Sequence, residues 1–206
     1  MIAMFGRLQD FLDSTRKIDF LGPLALRFYL VPVFWVAGTN KLAGDGQAGI
    51  VSPDVISWFG NPDWGLGLPF PAVLAFLAVG AEILGSVSLL LGLGTRWMSI
   101  PLMITMAVAA TRVHWENGWQ AVADAQSAFP PADIDGATQR LDMARRLLRE
   151  HGNYDWLTET GNFVISNNGI EWAATYFVML LALFFTGAGK ASLDYLIASR
   201  LRPSAA

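Results

Sequence analysis

The chain has 206 residues, of which 53% are hydrophobic and only 15% charged, with a formal net charge of −3. A soluble domain carries about a quarter charged residues, so this balance argues against an ordinary water-soluble fold, and the lack of basic runs argues against nucleic acid as a partner. There is no cysteine, which excludes disulfides, thiolate-bound metals, iron–sulfur clusters and a thiol nucleophile within this chain. Redox chemistry here needs a borrowed or diffusible group, and no covalently attached cofactor is expected.

The first twenty residues lack a short apolar core with a small-residue cleavage site, so the first apolar run is read as the targeting signal. Phe5, Leu8 and Leu12 recur against Arg7, Asp10 and Asp13, the pattern of an amphipathic helix suited to a membrane interface. Crossing roughly 30 Å of hydrocarbon takes about 20 apolar residues. Four windows, about 21–41, 69–93, 97–115 and 170–186, meet that requirement. The expected fold is all-α: a polytopic four-helix membrane bundle forming one domain over 1–206.

Between the third and fourth windows lies a polar outer loop, 116–168, expected to be periplasmic. Within it Leu141, Ala144, Leu147 and Leu148 space an amphipathic helix over 137–151, closed by Gly152. Arg145, Arg146 and Arg149 on that helix suit either a docking face or a solvated one.

Lys and Arg in short loops stay on the cytoplasmic side. Arg7, Arg16 and Lys17 precede the first span, Arg96 sits in the turn between the second and third, and Lys190, Arg200 and Arg202 follow the fourth. Both termini are therefore expected in the cytoplasm.

Two ionisable residues fall inside the apolar windows, Arg27 and Glu82. Intramembrane charges are costly and by default functional, so both are candidate catalytic and cofactor-binding residues. If the first two helices touch, Arg27 can bend toward Glu82; alternatively it snorkels to the headgroups. The competing reading is an ion pair that only fixes packing. A second cluster is expected at the outer ends of the spans, from Lys41, Arg112, His114, Glu116 and Glu171. His114 is a candidate proton-exchanging catalytic residue, with Lys41 and Glu171 as cofactor-binding candidates beside a quinone headgroup. For Glu171, the run Asn168-Gly169-Ile170-Glu171 offers a capping box as the structural alternative. Met98, Met103 and Met106 do not share one helix face, so no metal site is expected.

These landmarks carry a resemblance. Arg27 followed by Phe34-Trp35-Val36-Ala37-Gly38-Thr39-Asn40-Lys41, then Glu82-Ile83-Leu84-Gly85, Leu91-Gly92-Leu93-Gly94-Thr95-Arg96, His114, Asn168-Gly169-Ile170-Glu171 and Gly187-Ala188-Gly189-Lys190-Ala191-Ser192-Leu193-Asp194 resemble the DoxX family in order and spacing. The outer loop ending His151-Gly152-Asn153-Tyr154-Asp155-Trp156-Leu157-Thr158 is similar to a narrower HvfX-like branch associated with maturation of copper-binding, ribosomally made, modified peptides. The resemblance implies a four-helix bundle in a bacterial inner membrane, some relatives of which are membrane subunits of quinone-linked oxidoreductases.

Three functions follow as expectations. The first is a quinone-linked redox accessory subunit that works with an oxidoreductase or peptide-maturation partner. The second is a non-catalytic platform docking a peptide or processing partner through the outer loop. The third, a proton-coupled transporter, would explain Glu82 but finds no internal repeat. Whether the chain is itself catalytic, and whether it forms homo-oligomers, stays open at this level.

Overall fold

In a computed structural model, residues 2–201 are described, the side chains of 2–4 excepted. Arg202, one of the residues used for orientation, lies outside them. The backbone is helical, with no strand longer than an isolated bridge among the described residues. The α-helices are α1 (Ile2–Ser14), α2 (Leu21–Thr39), α3 (Pro53–Gly60), α4 (Pro71–Leu91), α5 (Thr95–Val108), α6 (Ile134–His151), α7 (Tyr154–Leu157), α8 (Glu171–Thr186) and α9 (Leu193–Leu201).

Two of the four expected spans, α2 and α4, are long and apolar enough to cross a membrane. Helices α5 and α8, with 14 and 16 residues, are shorter than the windows 97–115 and 170–186 suggested. The reason is visible after α5, where the backbone widens into a π-helical turn over Ala109–His114 and tightens again at Trp115–Asn117. The α6 helix begins three residues before the expected start and ends at the expected His151.

The chain forms two compact units, the first drawn from the segment up to Thr105 and the segment from Tyr176 onward, the second from Met106–Thr175. In the first unit α2 and α4 run antiparallel. They are in tight contact at Gly38, where a Cβ would lie 2.7 Å from Ile83 Cγ1 and 3.1 Å from Glu82 Cβ. Gly85 plays the same part between α4 and α5, since a Cβ there would meet Leu102 at 2.8 Å. Small residues that let backbones approach are how helices associate when lipid supplies no hydrophobic drive.

This unit buries apolar residues such as Leu30, Phe34, Ala75 and Leu89, but it also encloses charged and polar ones while facing large apolar side chains outward. Along α4 the outward side chains are Val73, Phe76, Leu77, Leu84 and Leu90, while Glu82, Ser86 and Ser88 are buried. Along α2 Phe28, Tyr29, Trp35 and Val36 face out and Arg27 is buried at 2% exposure. Water would penalise such an arrangement, whereas hydrocarbon favours it, because apolar groups then meet the solvent and polar groups meet each other. Pro32 and Pro101 sit inside α2 and α5, a tolerance typical of membrane helices.

The second unit reads differently. Its α6 carries Ala137 and Leu141 toward its packed side, and exposes Arg140, Arg146, Arg149 and Glu150. The flanking segments are zipped by backbone bonds, with Ala123 N–H donating to Ile165 and Gly169 N–H donating to Gln120. The Asn167 amide donates to the carbonyls of Asn117 and Gln120. Gly169 is obligatory, because a Cβ would overlap the Gln120 carbonyl oxygen.

Candidate functional site

The two intramembrane charges do not pair with each other. Glu82 accepts from Lys41, whose Nζ lies 3.0 Å from Oε1 and 2.7 Å from Oε2, and the third ammonium proton goes to the Ala37 carbonyl at 2.9 Å. Lys41 stands just beyond the end of α2, and its side chain folds back by one turn to reach the carboxylate. Gly38 makes that reach short by bringing α2 against Glu82. The Glu82 side chain is 5% exposed and that of Lys41 23%. The acid is therefore enclosed, and the base is its contact with the surroundings.

Arg27 is spent on backbone instead. Its Nε donates to the Leu89 carbonyl at 2.7 Å, Nη2 to Leu90 at 3.2 Å, and Nη1 to Ala188 and Ala191 at 2.8 and 3.0 Å. Four of the five N–H groups of a guanidinium are thus used. Leu89 and Leu90 belong to the last turn of α4, whose carbonyls have no helical partner and form the negative end of the helix dipole. The Arg27-to-Glu82 pairing is corrected on this geometry. In an antiparallel pair that sets Gly38 beside Glu82, a residue eleven positions earlier in α2 must lie about three turns further along α4. That places Arg27 at Gly92, where a Cβ would come within 2.8 Å of the guanidinium and 2.6 Å of Ser192. Gly92 also terminates α4 with φ at 63°, so glycine is required there twice over.

Sequence reasoning missed the partner of this knot, Asp194. Its carboxylate accepts from the backbone N–H of Gly94 at 2.7 Å and Thr95 at 3.1 Å, and its own N–H donates to Gly92 at 2.9 Å. It caps the start of α5 from 100 residues away. Ser88 and Ser192 hydroxyls donate to Leu93 and Gly189 carbonyls in the same region. The motifs Leu91-Gly92-Leu93-Gly94-Thr95-Arg96 and Gly187 through Asp194 are thus joined to each other and to Arg27, and the one available clue was an acid following a Gly-rich turn.

The expected outer cluster is divided. Lys41 belongs to the first unit with Glu82, whereas Arg112, His114, Glu116 and Glu171 lie in the second. His114 Nδ1 is 2.8 Å from the Asn168 carbonyl, which also accepts from the Asn117 amide. Glu171 does not form the capping box that was its structural alternative. It stands at the first helical position of α8, and its Oε2 accepts from Ala121 N–H at 2.9 Å. A capping box needs the acid three positions after the N-cap. Both side chains tie the 114–124 and 165–171 segments together.

Two helices long and apolar enough to cross a membrane, their outward apolar side chains and an enclosed carboxylate between them are features of a helical membrane protein. Residues 22–115, just under half of the chain, match the family model described as DoxX. The match spans Arg27, the Lys41 to Glu82 pair and His114, and supports a membrane protein of the DoxX family. No curated protein and no solved structure matches the chain.

Proposed function

We propose that this chain is a DoxX-family inner-membrane subunit, its four apolar segments forming a bundle with both termini cytoplasmic, that acts as a quinone-linked redox accessory. The electron-supplying partner would handle a copper-binding modified peptide, in keeping with the HvfX-like outer loop. The observation that carries the reading is the Lys41 to Glu82 pair. Reducing a quinone takes two electrons and two protons, and a carboxylate held by an ammonium group in low dielectric is a place to keep and release a proton. The chain has no cysteine, so it holds no dithiol or thiolate-bound redox centre, and in this reading the electrons come from the partner.

The residues fit such a ligand in one respect that bears on mechanism. Lys41 is partly exposed while Glu82 is not, so a quinone carbonyl oxygen would reach Lys41 first and take over the ammonium proton that the Ala37 carbonyl otherwise accepts. Glu82 would hold the proton at its carboxylate, and the spent donors of Arg27 leave that residue as a strut. Quinone chemistry itself supplies the electron acceptor.

The test is quinone binding by the purified, detergent-solubilised protein, compared with Glu82→Gln and Lys41→Gln. Binding weakened in both variants, with unchanged helical content, supports the proposal; equal binding by all three proteins, or none by the wild type, overturns it. A second reading, the docking platform, draws on Met143 and Leu147, exposed four residues apart on α6. If it is correct, deleting 137–152 abolishes partner association while Glu82→Gln leaves it intact.

A further inference from the structure

Where α5 begins and α8 ends, the surface of the first unit has a groove of about 320 Å³ lined by Arg96, Trp97, Ile100 and Phe184. We propose that this groove binds an anionic phospholipid, with the phosphodiester on Arg96 and the first methylenes of an acyl chain along Ile100 and Phe184. The proposal rests on the membrane character of the chain and is independent of the quinone reading.

The Arg96 side chain is held by one edge. Its Nε donates to the Phe184 carbonyl at 2.8 Å, and its guanidinium lies 5.6 Å from the centre of the Phe184 ring. Phe184 is in the final turn of α8, so the accepted bond satisfies a carbonyl that the helix leaves open, and the cation complements the helix dipole. With Nε and the ring fixing its plane, the two Nη groups form a pre-oriented fork, the geometry that matches two oxygens of a phosphate. No carboxylate lies within ion-pair distance of Arg96 among the described residues. The groove lining therefore presents a single full charge, and it is positive.

The remaining walls suit a lipid and not a free ion. Ile100 and Phe184 are apolar, and Trp97 is 79% exposed next to the cation. Tryptophan beside arginine at the start of an apolar helix is the composition of the headgroup level of a bilayer. A groove of this volume is at the small end of ligand sites. It holds a headgroup phosphate and the adjoining glycerol and methylenes, leaving the rest of the chains in the bilayer.

Native mass spectrometry of the detergent-solubilised protein, titrated with phosphatidylglycerol or with phosphatidylcholine, tests this. Wild type is expected to retain phosphatidylglycerol preferentially, and Arg96→Gln to bind it about tenfold more weakly, the loss of a charge-assisted fork. Arg96→Lys keeps the charge but not the Nε anchor, so it should fall between the two; full wild-type affinity in Arg96→Lys would overturn the fork. Ile100→Trp fills the groove with the charge intact and should also weaken binding, which keeps the test available if Arg96→Gln folds poorly by circular dichroism. No preference for the anionic lipid, unchanged binding in both Arg96→Gln and Ile100→Trp, or displacement by millimolar inorganic phosphate alone would each overturn the site. A chain that stays soluble without detergent would fail the membrane reading first, an outcome distinct from these.

Discussion

The Arg27 knot and the Lys41 to Glu82 pair are two answers to the same problem, an ionisable group among apolar helices. Arg27 is answered by backbone carbonyls from three places in the chain, the end of α4, Ala188 and Ala191. Glu82 is answered by one side chain and its own two oxygens. A group bonded to fixed carbonyls has nothing to exchange, while an acid bonded to a single base can change its proton without dismantling the fold. The contrast separates a residue that builds the bundle from one that can work in it.

The largest effect should come from the knot. Arg27→Gln leaves several carbonyls buried without donors and removes the tie between α4 and the 187–194 segment, at an expected cost of about 4 to 5 kcal/mol. Denaturation in detergent measures it, and a loss smaller than that for Lys41→Met would reverse the assigned roles.

Next, Lys41→Met strands Glu82 without its partner and should cost on the order of 3 kcal/mol, whereas the double variant Lys41→Met with Glu82→Leu should recover most of that loss. Failure of the double variant to recover would make the pair a packing device and weaken the case for chemistry at Glu82.

Gly38 sharpens the same comparison, because it sets the distance over which Lys41 reaches. Gly38→Ala places a methyl against Ile83 and Glu82 and should cost about 1 to 3 kcal/mol. Gly80→Ala, inside α4 but with nothing within 4 Å, should be neutral or slightly stabilising, by up to about 1 kcal/mol of helix propensity. Equal effects at the two glycines would show that α2 and α4 are not held at the approach described.

Much of this was legible in residue order, and the remainder was not for identifiable reasons. The extents of α2 and α4 follow from apolar runs bounded by Pro71, Gly92 and the polar residues after Thr39, and α6 from its 3.6-residue period. The eight-residue α3, opened by Pro53, lies between the first two windows, where the apolar pattern is too short to mark a span. The nine-residue α9 was absorbed into a motif. Arg27, Lys41, Glu82, His114 and Glu171 were all singled out, but their partners were not. Pairing depends on helix register, and one contact, Gly38 against Ile83, is enough to move Arg27 three turns from Glu82. The two backbone acceptors at Ala188 and Ala191 carry no side-chain signal at all.

The smallest expected effect lies in the second unit, and it provides the control for the first. Asp133, just before α6, accepts from Arg140 at 2.7 Å, and both side chains are well exposed. The hydrogen bond from Arg140, then its charge, hold the Asp133 carboxyl below the ordinary aspartate range. A carboxyl depressed in the folded state contributes stability above its unfolded pKa, and that contribution is lost as pH falls through the folded value. The pair is open to solvent and salt, so its share should be barely measurable. Arg140→Ala is expected to leave stability at neutral pH nearly unchanged, flatten the small acid-side dependence, and do nothing to quinone or lipid binding. Hydrogen exchange of α6 against pH measures it. An Arg140→Ala loss comparable to that of Lys41→Met would mean that the exposed pair is not screened by water, and that burial is not what distinguishes Glu82 from the other acids of the chain.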